Sequence, residues 1–142
     1  DLHTAYRRQR QMCIRDRGVL TLNALVCSGG VIIPVQTQFY ALRGLTQLLN
    51  LINTVREKAN PGLSMVKIIA TMYDVRTNLS RYIFEELQKN FKNRLLNTII
   101  PVSTKLAEAP SSGLPINKYA PGSKGAIAYK QLAKEVISLE EK

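Results

Sequence analysis

The chain has no tryptophan, and only one histidine and two cysteines stand among its 142 residues. A Ser/His/Asp set would have to use His3, the sole imidazole, so serine-hydrolase chemistry is not expected. Cys13 and Cys27 are too few for a disulfide framework or a zinc site. No apolar stretch approaches the roughly 20 residues of a membrane span, and the charged start lacks the apolar core of a secretory signal. These absences favour a globular, cytoplasmic protein.

Basic residues outnumber acidic ones by 20 to 10, which gives a formal net charge of +10. Residues 1–17 contain five of the arginines and two of the aspartates, and the remaining 15 basic and eight acidic residues keep a clear positive excess. A basic surface of this kind indicates a polyanionic partner, either nucleic acid or an anionic surface.

Residues 1–17 differ from the rest of the chain, because they show no helical or strand periodicity and then give way abruptly to an orderly apolar segment at Gly18. They resemble a peptide that arises when sequencing-adapter DNA is translated in frame. The alternative is a basic arm that binds nucleic acid. We expect residues 1–17 to be an artefactual or disordered leader and residues 18–142 to form the functional part.

From Gly18 onward, apolar runs of strand length alternate with segments of helical period. The predicted strands are Val31–Val35, Met65–Met72 and Leu95–Ile100, and the predicted helices are Tyr40–Lys58, Thr77–Phe91 and Lys124–Leu139. Inward-facing positions are predicted at Leu79, Ile83, Leu87 and Phe91 in the second helix, and at Ile127, Leu132, Val136 and Ile137 in the third. Residues 101–120 form a long polar stretch with three prolines and one glycine.

Buried strands linked by helical crossovers predict an α/β fold, with a mostly parallel sheet and helices on both faces. Ligand loops in such folds follow the carboxyl ends of the strands. The polar segments 36–38, 73–78 and 101–105 stand at these positions. The sequence therefore predicts that these three loops form a site together.

Several tracts resemble the ParA/Soj-type partition ATPases of the ParA/MinD superfamily. They are Gly18–Leu25, Ile33–Leu45, Thr71–Ser80, Ile99–Gly113 and Tyr119–Ala126, which agree with that family in order and spacing. The resemblance implies the C-terminal half of a P-loop NTPase-like, three-layer domain, without the opening strands and the phosphate loop. Residues 18–142 would be the C-terminal part of this ParA-like domain.

Family membership implies an ATPase that binds DNA nonspecifically as an ATP-dependent dimer and acts in chromosome or plasmid partitioning. It also implies ATP and Mg²⁺ in the intact protein, a ParB-like stimulating partner, association with the nucleoid and no membrane contact. The 142 residues contain neither the phosphate loop nor the magnesium-binding motifs. We therefore expect no bound cofactor, no metal site, no catalytic residue and no ATP hydrolysis from this chain alone.

The resemblance assigns DNA contacts to Arg76, Lys105 and Lys124. A cation in a strand-to-helix loop can reach phosphate oxygens without reading bases. The alternative for Arg76 is a solvated arginine or a partner for Asp74, and the alternative for Lys105 is a lysine on a helix surface. Lys105 and Lys124 stand where relatives usually carry arginine, so the charge is kept without the bidentate geometry.

Nucleotide contacts are assigned by the same resemblance to Pro101, Val102 and Ser103, which begin a loop that lies against adenine in relatives. Met72 is placed beside this loop, with a core position as the alternative. Two other functions stay open: a basic α/β binding module without nucleotide, and a MinD-like positioning ATPase. The second would need a basic amphipathic helix at the C-terminus, where this sequence is acidic.

Overall fold

A computed structural model describes residues 19–140, so the predicted leader at residues 1–17 lies outside the described part. The elements are α1 (Val19–Val26), β1 (Gly30–Gln36), α2 (Ala41–Lys58), β2 (Met65–Tyr73), α3 (Asn78–Phe91), β3 (Leu95–Pro101), α4 (Thr104–Glu108), a 3-10 helix (Ala109–Ser112), α5 (Ile116–Tyr119) and α6 (Lys124–Glu140). The predicted strands and long helices are confirmed to within about two residues at their ends.

The described part of the chain divides into two compact units, one made of residues 19–32 and 43–66 and the other of residues 33–42 and 67–140. In the first unit, the Asn60 side-chain amide donates to the carbonyls of Leu25 and Ser28, at 2.8 Å each. The backbone amide of Ser64 donates to Gly29 at 3.1 Å. These bonds fix the end of α1 against the turn that follows α2.

The second unit contains the parallel pair of β2 and β3, and the strand order of the sheet is β1-β2-β3. Its buried strand residues include Ile68, Ile69, Ala70, Leu96 and Ile100. Continuous apolar runs are typical of parallel strands, which are covered on both faces. The predicted α/β class with a parallel sheet is confirmed.

The pairing of β2 with β3 is irregular in two places. Ile68 lies opposite Leu95 and Ala70 opposite Ile99, so β3 has two more residues than β2 in this interval. Tyr73 then lies opposite Pro101, so β2 has one more residue than β3 in the next interval. Both irregularities precede the loops of the predicted site, and bulges often re-aim the chain next to such loops.

Helix α3 is capped by Thr77, whose hydroxyl accepts a hydrogen bond from the Ser80 amide at 3.3 Å. Ile83 and Leu87 are buried as predicted. The prediction for Leu79 is wrong, since its side chain is 42% exposed. Ser80 is buried instead. Neighbouring residues of a helix point about 100° apart, so the side chain of Leu79 turns towards solvent.

Helix α6 buries Gly125, Ala126 and Ala128, whereas Ile127 and Ile137 are about half exposed, so the inward positions predicted for these two isoleucines are wrong. A Cβ atom on Gly125 would lie 2.6 Å from Cγ of Leu106, which shows how closely α6 approaches α4. Such an approach favours small residues over branched ones. The predicted polar stretch at residues 101–120 contains α4, the 3-10 helix and α5.

Candidate nucleic-acid interface

The three predicted site loops lie at one edge of the sheet. The backbone amide of Val102 donates to the carbonyl of Tyr73 at 3.0 Å, which joins the loops after β2 and β3. The amide of Thr37 donates to the carbonyl of Thr71 at 3.1 Å, which joins the loop after β1 to the same place. We call residues 36–38, 73–78 and 101–105 the carboxyl edge.

A pair of buried hydroxyl groups ties the carboxyl edge together. Oγ1 of Thr37 and Oγ of Ser80 lie 2.9 Å apart, and Thr37 and Ser80 are 2% and 4% exposed. The Thr37 hydroxyl also donates to the carbonyl of Met72 at 3.2 Å, and the amide of Asp74 donates to the Ser80 hydroxyl at 3.4 Å. The end of β2 is thereby bonded to the β1 loop and to the first turn of α3.

Met72 adopts a left-handed backbone conformation with φ of 52°, which is uncommon for a residue other than glycine. It lies in the interval where β2 has its additional residue, and its side chain is 45% exposed. The core position considered for Met72 is therefore wrong. Strained residues of this kind concentrate at functional sites, and an exposed Met72 stays compatible with the predicted nucleotide contact.

Arg76 projects from the loop between β2 and α3, with a side chain that is 80% exposed. Its guanidinium donates two hydrogen bonds to Asp74, from Nε to Oδ1 at 2.9 Å and from Nη2 to Oδ2 at 2.8 Å. The Arg76 amide also donates to Oδ1 of Asp74 at 3.0 Å. Arg76 is therefore both solvated and paired with Asp74, which are the two alternatives to a DNA contact. Its guanidinium faces outward from the loop that these bonds fix.

These bonds perturb the titration of both groups. The side-chain and backbone hydrogen bonds from Arg76 lower the pKa of Asp74 to about 2. The same side-chain hydrogen bond raises the pKa of Arg76 above its ordinary value. Near neutral pH the pair is therefore fully ionised, and the loop carries a plus and a minus charge side by side.

Lys105 lies in the first turn of α4 and belongs to a cluster with Glu108 and Tyr119. Its ammonium is 2.8 Å from Oε2 of Glu108 and 5.9 Å from the centre of the Tyr119 ring. The Tyr119 hydroxyl donates to the same carboxylate oxygen at 3.0 Å. The hydrogen bond to Glu108 raises the pKa of Lys105, so this side chain keeps its positive charge.

Lys124, the third predicted DNA contact, is the first residue of α6 and is exposed. The hydroxyl of Ser123 accepts the amide of Ala126 at 3.2 Å and so fixes the start of this helix. Gly125, the next residue, lies against Leu106, which follows Lys105, so the start of α6 lies beside α4. The structure thus brings the loops of Arg76 and Lys105 together and places the first turn of α6 next to the helix that carries Lys105.

The predicted adenine loop follows directly from β3. Pro101 is the last residue of the strand, Val102 is 49% exposed, and Ser103 precedes the first residue of α4. The Val102 amide already donates to Tyr73, so it would have to leave that bond to bind a base. The nucleotide role of this segment stays a prediction.

Sequence patterns did not single out three polar residues whose side chains bond at this edge: Thr37, Ser80 and Glu108. The sequence does place Ser80 three positions after Thr77, where the backbone amide can bond to the side chain of a cap residue. Among residues 19–140, no three His, Cys, Asp or Glu side chains come together to hold a metal ion. No helix in that range is long and apolar enough to cross a bilayer.

Comparison with known proteins agrees with this architecture. A sequence profile of the AAA domain family matches residues 13–65, a range that begins inside the predicted leader. A solved structure of cobyrinic acid a,c-diamide synthase from Mycobacterium smegmatis, with bound ADP and magnesium, is similar with a TM-score of 0.67 and 31% identity. That match covers 88% of this chain and 44% of the synthase. The class of protein is thus a P-loop NTPase-like α/β domain.

Curated relatives give a more specific similarity within this class. The chain is 47% identical over 126 residues to the sporulation initiation inhibitor protein Soj of Bacillus subtilis, and the match covers 89% of this chain and 50% of Soj. It is 42% identical over 126 residues to the chromosome-partitioning ATPase Soj of Treponema pallidum, with the same coverage. These matches confirm that the chain is similar to the ParA/Soj-type ATPases, as the sequence predicts. It spans about half the length of these relatives.

Proposed function

We propose that this chain is the DNA-binding part of a chromosome-partitioning ATPase, and that its carboxyl edge presents Arg76 and Lys105 to the phosphates of DNA. The Val102–Tyr73 hydrogen bond carries the proposal, because it joins the two loops from which these cations project. Both side chains are at least half exposed. Two cations of this kind can contact neighbouring phosphates and need no base contacts.

The proposed binding is independent of DNA sequence. Phosphate contacts supply affinity through the release of counterions and carry no direct sequence information. The positive excess over residues 18–142 supports such binding, since it raises the concentration of DNA near the surface. Plasmid and chromosomal DNA would therefore bind alike, and the intact protein would be found on the nucleoid in the cytoplasm.

ATP and Mg²⁺ belong to the proposed activity of the whole protein. Residues 101–103 would lie against the base, with Met72 beside them. The triphosphate and the magnesium ion would be held by the part of the Soj relatives that this chain does not match. In the intact protein we propose ATP-dependent dimerisation and stimulation by a ParB-like partner, as the family resemblance implies.

The proposal is tested with the 142-residue chain and two fluorescein-labelled DNA duplexes of unrelated sequence. Fluorescence anisotropy over a series of salt concentrations should give similar affinities for both duplexes and a linear fall of log K with log salt. The variant with Arg76→Ala and Lys105→Ala should lower the slope by about two, since each lost phosphate contact removes about one unit.

A charge-matched control is Lys89→Ala with Lys92→Ala. Lys89 lies in the last turn of α3, about 16 Å along the helix axis from Asn78, the first residue of this helix beside the carboxyl edge. Lys92 precedes β3 and so lies at the other end of that strand from Pro101. This control should change the slope by much less than the edge variant. Equal effects of the two variants would show that net charge, and not the carboxyl edge, determines binding.

A further inference from the structure

One carboxylate from α6 holds the irregular part of β3. Oε1 of Glu135 accepts hydrogen bonds from the backbone amide of Asn97 at 2.7 Å and from its Nδ2 at 3.1 Å. Oε2 accepts from the amide of Thr98 at 2.9 Å and from its hydroxyl at 2.6 Å. Partial burial raises the pKa of Glu135, but these four hydrogen bonds outweigh it and leave the pKa below its usual value.

The pattern is unusual because successive amides of a regular strand point to opposite edges. Asn97 and Thr98 instead direct both amides to the same side chain. They lie in the interval where β3 has two more residues than β2, between Leu95 and Ile99. A bulge leaves backbone groups without ladder partners, and Glu135 supplies the missing acceptors.

The bulge stands directly before the part of β3 that leads to the carboxyl edge. From Thr98 the chain reaches Pro101 within three residues, and Val102 then bonds to Tyr73. Ser103 follows and precedes α4, which begins at Thr104 and carries Lys105 in its first turn. Any slip of the bulge would change the direction in which this segment leaves the strand.

We propose that Glu135 is a positioning residue, which fixes the bulge at Asn97 and Thr98 and thereby holds the segment 101–105 so that Lys105 faces the same DNA as Arg76. This inference rests on the proposed function for its DNA readout. It assigns to α6 a role in binding, although Glu135 itself does not touch DNA.

Amide hydrogen exchange of the 142-residue chain tests the positioning directly. In Glu135→Gln, an amide nitrogen replaces one carboxylate oxygen, so it faces two donors and can accept from neither. The exchange of the Val102 amide should become about tenfold faster, whereas the Thr37 amide, which bonds to the end of β2, should change less than about twofold. Thr98→Val removes one donor of the four and should give a smaller change in the same direction.

Glu85→Gln is the matched control, because it makes the same chemical change on an exposed position of α3. It should leave both amides unchanged. Unchanged exchange of Val102 in Glu135→Gln and Thr98→Val, or equal acceleration of Val102 and Thr37, would overturn the proposal. The second result would mean that Glu135 stabilises the fold generally and positions nothing in particular.

A double-mutant cycle with duplex DNA links the positioning to binding. Glu135→Gln should reduce affinity by nearly as much as Lys105→Ala, and the two changes together should add little to Lys105→Ala alone, because both remove the same contact. In a second cycle, which combines Glu135→Gln with Arg76→Ala, the losses of DNA affinity from the two changes should be fully additive. Additivity in both cycles would contradict the proposal. A wild-type chain that binds no DNA would refute the proposed function, and the exchange measurement would still decide the role of Glu135.

Discussion

The hydroxyl oxygens of Thr37 and Ser80 lie 2.9 Å apart inside the protein, although 43 positions separate these residues in the chain. Their hydrogen bonds reach the carbonyl of Met72 and the amide of Asp74, so one polar pair connects the loop after β1, the end of β2 and the first turn of α3. A buried polar pair is stable only while both members are satisfied. The carboxyl edge thus depends on two small, buried side chains.

Thr37→Val should destabilise the protein, because valine keeps the shape of threonine and leaves the Ser80 hydroxyl without this partner. The expected loss is about 1–2 kcal/mol in the free energy of unfolding, measured by urea denaturation. Adding Ser80→Ala should cost less than the sum of the single changes. Thr54→Val is the control, since the Thr54 hydroxyl bonds to Asn50 on an exposed helix surface and should matter little.

The titration of Asp74 should depend on Arg76. The pKa of this carboxyl falls from its ordinary 3.8 to about 2 through the hydrogen bonds from Arg76. Because the folded pKa is lowered, the stabilisation is complete above pH 3.8 and is lost as the pH falls towards about 2. NMR titration of the Asp74 carboxyl carbon should show this low midpoint, and Arg76→Ala should return it to nearly 3.8. An identical midpoint in both proteins would mean that the ion pair does not form in solution.

The strands and the long helices were predictable because their signals are local. Runs such as Val31–Val35 and Met65–Met72 contain enough β-branched and apolar residues to specify buried strands without knowledge of their neighbours. The common edge of the three loops was predictable as well, since it follows from the direction of parallel strands. The residues that would act at this edge, Arg76 and Lys105, came from the family resemblance.

Other features depend on tertiary contacts and left no local signal. Ile127 fits an inward helical stripe, yet the close approach of Gly125 to Leu106 fills that face with small residues. The left-handed Met72 reflects an additional residue in β2 that appears only when the register with β3 is known. In the sequence, Glu135 cannot be distinguished from an ordinary surface glutamate, because its hydrogen-bond partners lie 37 and 38 positions away.

Gly125→Ala should destabilise the contact between α4 and α6. The added Cβ would lie 2.6 Å from Cγ of Leu106, so Leu106 or the helix must move, at a cost of about 1–3 kcal/mol in the free energy of unfolding. A second change, Leu106→Ala, should recover part of this loss. Gly44→Ala is the matched control, and its expected change in the free energy of unfolding has the opposite sign. Gly44 lies within α2 with no atom near the added Cβ, so alanine should stabilise the helix by roughly 0.5–1 kcal/mol. Similar losses from both changes would argue against a specific clash.

The carboxylates that pair with the two edge cations should weaken DNA binding. Asp74 and Glu108 each lie 2.8 Å from a cation that is proposed to bind phosphate, and they repel the phosphate itself. Exposed ion pairs are weak enough for a phosphate to displace, so Asp74→Asn and Glu108→Gln should each raise affinity about two- to fivefold at low salt. The gain should shrink as salt is added. Glu85→Gln makes the same charge change on α3 and should raise affinity less. Weaker binding by both edge variants would show instead that the carboxylates hold Arg76 and Lys105 in their binding geometry.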